Sequence, residues 1–286
     1  MTLETINFIS STWLNWKPYK KLSIYKGSKF KLLSQNYLLG QTSLLFRFPK
    51  NTYIKKNISS KFDEEIYILN GSINISGNVL NKDFYTYIPS GYEKKIFCSP
   101  KGATGIIFIN EQLKKINKKN NFYPNFDHNN WIPRINAFES IWPALPSKFK
   151  HFDLNNSGAR IKILRQKIKS NSETFLIGFP PLWSFPEVNN LGGDLEIFLL
   201  NGNVNTTKGL MKAGSYLKIP SGKTISSMYS KESAVFLFKL NGNKIHLKRT
   251  KKNIKINYQD NIKINNLIIP KNILSNITSG PYFRGK

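Results

Sequence analysis

The feature that most constrains this 286-residue chain is that it repeats itself. Glu65-Ile-Tyr-Ile-Leu-Asn-Gly71 returns as Glu196-Ile-Phe-Leu-Leu-Asn-Gly202, and Tyr85-Thr-Tyr-Ile-Pro-Ser-Gly91 returns as Tyr216-Leu-Lys-Ile-Pro-Ser-Gly222. Both pairs are displaced by 131 residues (202 − 71 and 222 − 91), so one module has been duplicated without slippage. A chain of this length exceeds the usual single domain, and each copy is long enough to bury a core of its own.

Each repeated block reads as a strand running into a turn. β-Branched and aromatic residues lead up to Asn-Gly or Pro-Ser-Gly, the chemistry of tight connections. Further apolar strands are expected at Leu44 to Phe48, Gly105 to Ile109, Thr174 to Phe179 and Ala234 to Leu240. Short strands at regular spacing without a convincing amphipathic helix predict an all-β barrel or jelly roll. The low-complexity stretch Leu113 to Asn121 places a boundary, giving a first barrel over 1–120, a second over 121–247 and a basic extension over 248–286. Within the extension, Leu267 to Ile269 offers an edge strand, against the plainer reading of a partly ordered tail. Trp16-Lys-Pro and Trp142-Pro suggest a tryptophan packed on each barrel near its start.

Several function classes are bounded by composition. The single Cys98 can form neither an intramolecular disulfide nor a thiolate zinc site. The N-terminal residues lack the pattern of a secretion signal and no stretch approaches a membrane span, so a cytoplasmic protein is expected. The net charge of +27 comes from 43 Lys and Arg against 16 Asp and Glu. Such a balance attracts polyanions, but the lysines are scattered through every segment, and a solvated basic surface is the expected reading; nucleic-acid recognition is not.

These blocks resemble the cupin family, specifically its two-barrel members similar to ChrR-like cupins associated with anti-sigma factors. The resemblance spans about residues 10 to 247. Glu64 and Gly71 match the end of the family's first motif, and Gly214, Pro220 and Gly222 match its second; in the first copy Asp83 stands where the leading glycine belongs. Phe179-Pro-Pro-Leu-Trp183 and the run from Gly209 to Tyr216 also look like phrases of such proteins. The resemblance implies two tandem double-stranded β-helix barrels, each with a metal held by three histidines and a glutamate. Imidazole and carboxylate suit iron, manganese, nickel or zinc.

None of the histidines is present. The first copy has Asn57, Ile58, Ser59 and Ser60 where the first-motif pair should fall and Lys94 at the second-motif position. The second has Val188 to Leu191, with Leu195 for the glutamate and Ile225 for the last histidine. His128, His151 and His246 lie outside the strands that line such a pocket. No metal and no cofactor are therefore expected.

Strand alternation puts Ile66 and Ile68 on the same side as Glu64, and Leu195, Ile197 and Leu199 inward in the second copy, with Tyr67 and Phe198 facing outward. The second interior then becomes apolar. In the first, the Lys94 ammonium either replaces the lost cation beside Glu64 or snorkels to the barrel mouth; both readings stand at this level. The ligand-pocket candidates are Glu64, Lys94, Asn57, Ser59, Ile66 and Ile68, with Leu195, Ile197, Leu199 and Ile225 as their second-barrel counterparts. The leading functional expectation is a metal-free small-ligand-binding or scaffold protein, able to associate with a second copy. The alternatives are a cupin-type oxygenase or isomerase, metal-free acid/base chemistry by Glu64 and Lys94, and a polyanion-binding module.

Overall fold

The computed structural model describes residues 5–37, 39–54, 58–59, 62–110, 127–146, 158–167, 172–242, 244–250 and 268–279. The chain forms two compact units, Asn15–Glu139 and Met1–Leu14 with Ser140–Lys286. Each is an antiparallel jelly-roll barrel. The unit of residues 15–139 has a six-stranded sheet in the order Ile132–Asn136, Phe84–Ile88, Asp63–Gly71, Ala103–Asn110, Gln41–Phe48, Lys29–Asn36. A four-stranded sheet (Thr52–Ile54, Phe97–Ser99, Ile73–Ile75, Asn78–Leu80) and the pair Glu93–Lys94 with Ile58–Ser59 complete it.

The other unit repeats this plan, with a third strand, Leu247–Arg249, added to the counterpart of the two-stranded pair. Its six-stranded sheet runs Ile6–Ser10, Ser215–Ile219, Asp194–Asn201, Ala234–Asn241, Ser172–Phe179, Arg160–Lys167. All four strands expected from apolar runs fall inside observed ones. Pairing register obeys the interval of 131: Glu64 lies between Ile88 and Ile109, and Leu195 between Ile219 and Leu240.

Side-chain hydrogen bonds are duplicated too. Ser90 N donates to Asp63 Oδ1 at 2.9 Å and Ser221 N to Asp194 Oδ1 at 3.0 Å, tying each Pro-Ser-Gly turn to the start of the strand beside it. Tyr85 OH donates to Glu65 Oε2 at 2.8 Å, and Tyr216 OH to Glu196 Oε2 at 2.6 Å. Gly71 (φ 76°) and Gly202 (φ 96°) both need the left-handed region, and a Cβ on either would strike a backbone carbonyl, of Gly102 or Ser233.

The edge strands show an exchange that the linear division at 120/121 does not anticipate. Ile132–Asn136, which follows the first barrel's last strand, pairs with Phe84–Ile88. Ile6–Ser10, at the chain start, pairs with Ser215–Ile219 of the second barrel. The two pairings match, Ile132↔Tyr87 and Ile135↔Tyr85 against Ile6↔Lys218 and Ile9↔Tyr216. Each barrel's outer edge is thus covered by the strand that leads into the other module, which satisfies its backbone donors and acceptors. The compact units accordingly divide at residues 14/15 and 139/140, while Leu113 to Asn121 lies outside the described residues.

A cut at 247/248 would fall within a strand, since Leu247–Arg249 pairs with Val188–Asn190 in the second barrel. Beyond it, Ile268 and Ile269 form no strand, and Leu267 is outside the described residues. A short helix, Lys271–Leu274, follows, and Thr278 N donates to Trp13 O at 2.8 Å. The two lead-in tryptophans do pack on their barrels. Trp16 sits over Arg47 and Lys31, and Trp142 over Gly178, the position 131 residues after Arg47.

Candidate functional site

The first barrel's interior is a hydrophobic cluster that includes Ile66, Ile68, Ile88, Phe48, Phe97 and Ile109. Within it sits one ion pair. Glu64 is carried inward by the strand Asp63–Gly71, on the same side as Ile66 and Ile68, as alternation requires. Lys94 comes from the two-residue strand after the Pro-Ser-Gly turn, paired with Ile58. Its Nζ donates to Glu64 Oε1 at 2.6 Å and Oε2 at 2.7 Å, and to Tyr25 OH at 3.0 Å. An ammonium has three protons, and three acceptors meet it.

Glu64 is 2% exposed and Lys94 1%. Lysine therefore pairs with the carboxylate and does not snorkel. Burial alone would lower the Lys94 pKa; the Glu64 charge, reinforced by Tyr25, reverses this and raises it above the ordinary lysine value, so the ammonium stays protonated. Burial, the largest effect, pushes the Tyr25 phenol up despite Lys94. Tyr25 also packs on Phe97 and Phe48, with ring centroids 4.7 and 5.2 Å away. It belongs to neither repeated block. It is delivered by the turn after Lys20–Leu22, where Tyr25 N donates to Leu22 O, and no pattern in the sequence marks it.

Asn57 lies outside the described residues; Ser59 contributes backbone to the strand paired with Glu93–Lys94. In the second barrel Leu195, Ile197, Leu199 and Ile225 are all buried in one apolar cluster, with Val188 directly opposite Ile225. A cavity of about 20 Å³ remains there, lined by Phe179, Trp183, Phe185, Ile225, Met228 and Phe236 among others. Its wall is apolar, so a water entering it would lack the two to four partners it needs. Asn190, at one of the positions where the resemblance expects a histidine, is a backbone clamp. Its Nδ2 donates to Gly193 O at 2.9 Å and Ile219 O at 3.0 Å, and its Oδ1 accepts from Gly192 N at 3.2 Å.

Two departures from motif expectations have structural reasons. Asp83, in the glycine position, adopts φ +66°, where Gly214 in the second copy has +91°. Aspartate tolerates this region, and its carboxylate accepts from Tyr67 OH at 3.1 Å. The second copy has Phe198 and Gly214 at these places, so hydroxyl and carboxylate vary together. Tyr67 and Phe198 lie on the sheet face opposite the interior, as expected, but both are buried.

Among the described residues the donor set does not fit a cupin metal. Among the described residues no three His, Cys, Asp or Glu side chains gather. The Glu64 oxygens both receive the Lys94 ammonium, and its strand neighbours are Ile88 and Ile109. A divalent ion would have to enter beside a buried cation and take mainly apolar neighbours. His128 and His246 are exposed, and His151 lies outside the described residues.

Comparison with known proteins agrees with this architecture. The ChrR cupin-like domain matches residues 145–244. A candidate dioxygenase from Nostoc punctiforme superposes with TM-score 0.68 at 16% identity, covering 86% of this chain and 87% of that one. A single-residue mutant of Bacillus subtilis oxalate decarboxylase gives 0.54 at 13% identity, with 87% and 80% covered. A cupin 2 conserved barrel domain protein from Leptotrichia buccalis gives 0.52 at 14%, with 84% and 98% covered. No curated protein matches by sequence. No helix among the described residues is long and apolar enough to cross a membrane. The second module thus matches the ChrR cupin-like domain by sequence, and the chain as a whole has the two-barrel cupin fold.

Proposed function

We propose that the chain is a metal-free cupin that acts as a binding or scaffold protein, its two former metal sites having become parts of the core. The observation that carries this reading is the Lys94 ammonium seated on both oxygens of Glu64, 2.6 and 2.7 Å away, at the positions that match the family's metal motifs. The positive charge a metal would bring to the surviving carboxylate is supplied by a side chain. In the second barrel carboxylate and cation have gone together, leaving Leu195 and Ile225. Each solution avoids a stranded buried charge.

Oxidation or decarboxylation, as the names of the structural neighbours give it for those proteins, is no part of this reading, because their fold alone is shared. Acid/base catalysis by Glu64 and Lys94 is disfavoured by burial, since a substrate would have to reach two groups shut off from solvent. Elemental analysis of the purified protein tests the proposal. Iron, manganese, nickel and zinc each well below one equivalent per chain are expected. Near one equivalent of any of them, lost in Glu64→Ala, overturns it.

A further inference from the structure

On the outward face of the first barrel, one row of side chains runs across four adjacent strands. Lys29 stands opposite Arg47, Arg47 opposite Thr104, and Thr104 opposite Asn70. Lys29, Arg47 and Asn70 are exposed and Thr104 is half-buried. At a strand spacing of ~4.8 Å the row spans roughly 14 Å.

Like charges facing each other across a strand pair are unfavourable, yet here two are opposed and a third, Lys31, stands beside them. Burial, and then Arg47, hold the Lys31 pKa below the usual lysine value, as expected of crowded cations. Among the described residues Arg47 makes no hydrogen bond or ion pair, and neither does Lys29. The Arg47 guanidinium rests on the Trp16 ring, its Cζ 4.4 Å from the centroid, with Lys31 Nζ at 4.8 Å. Its donors are thus held in place and, among the described residues, left unused. The second barrel has a glycine, Gly178, under its own tryptophan, so the packing of that tryptophan does not require a cation. Arg47 is an addition.

We infer that this row binds single-stranded nucleic acid, Lys29 and Arg47 contacting backbone phosphates while the Trp16-backed guanidinium plane carries a base. Arginine planes stack bases, and Asn70 and Thr104 extend the same row with polar groups. No apolar side chain in the row is placed to enter a bilayer, which favours a nucleic acid over an anionic membrane. The sequence alone offers no aromatic platform; the fold assembles one from residues in three separate segments.

The test uses the full chain and a fluorescein-labelled twelve-nucleotide oligothymidylate, followed by anisotropy between 50 and 200 mM KCl. Removing two phosphate contacts in Lys29→Ala/Arg47→Ala should make the slope of log K against log salt shallower by ~1.4. Lys212→Ala/Lys223→Ala, which removes two exposed cations of the other unit, should change it far less. Arg47→Lys keeps the charge but not the plane, and should weaken binding about fivefold or more. Equal losses in the two double variants, or wild-type affinity in Arg47→Lys, would show diffuse attraction by the +27 charge and overturn the inference. So would row-dependent binding to vesicles of phosphatidylcholine and phosphatidylserine without row-dependent binding of the oligonucleotide.

Discussion

Converting the first barrel's ion pair into the second barrel's residues gives a sharp quantitative test. Glu64→Leu alone leaves the Lys94 ammonium buried with only the Tyr25 hydroxyl, and Lys94→Ile alone leaves the carboxylate 2% exposed without its cation. Breaking a buried pair from either side costs ~3–5 kcal/mol, so independent effects would sum to ~6–10 kcal/mol. The double variant strands neither charge. What remains is the Tyr25 hydroxyl, which loses the 3.0 Å contact with Lys94, at a cost of ~1–3 kcal/mol. Adding Tyr25→Phe removes that too, and the triple variant should match or exceed the parent, since apolar replacement of a buried pair is often neutral or stabilising. Urea unfolding of the full chain, with both units followed because two compact units need not unfold as one, reads these differences directly. If the double variant loses as much as the two single variants added together, Glu64 and Lys94 are not coupled and the description of the first interior is wrong.

Three further outcomes follow from the same geometry. The raised Lys94 pKa contributes stability that is present below lysine's ordinary pKa and is lost as pH rises through the folded value, so the wild type should hold steady from pH 7 to 9.5. In Glu64→Gln burial lowers that pKa instead, the unfolded state binds the extra proton, and the urea midpoint should rise across the same window; a flat profile there would contradict this. Leu195→Glu with Ile225→His buries polar groups in a closed apolar site and should lower stability by several kcal/mol without conferring metal uptake; a stable variant that loads metal would show the second site to be open. Phe8, 1% exposed and part of the second barrel's core, should cost ~3–5 kcal/mol on replacement by Ala, felt by that barrel although the whole of the unit Asn15–Glu139 lies between Phe8 and the rest of it in the chain. Loss confined to the unit of residues 15–139 would refute the strand exchange.

Much of this was legible in the sequence because the duplication carries it. Two blocks at one interval fixed the strands, and alternation along Glu64, Ile66 and Ile68 then predicted the inward face that is observed. Whether Lys94 met Glu64 was undecidable from spacing, since a lysine stem can run to a pocket floor or to its mouth; strand pairing with Ile58 settles it. Tyr25 was invisible because its place depends on a turn remote from either motif. The edge-strand exchange left a trace in Ile6 and Ile9, which recur as Ile132 and Ile135, but equivalent strands can cover equivalent edges, and nothing local says which one each will choose.

The central claim is that a side-chain cation occupies the place of a metal in the first barrel. Anomalous diffraction from crystals of protein expressed in medium enriched with iron, manganese, nickel and zinc, collected at each absorption edge, tests it at the atoms concerned. No anomalous peak is expected within coordinating distance of the Glu64 carboxylate, and continuous density should join it to Lys94 Nζ. A peak there at any of the four edges, with the Lys94 side chain turned away, would contradict it.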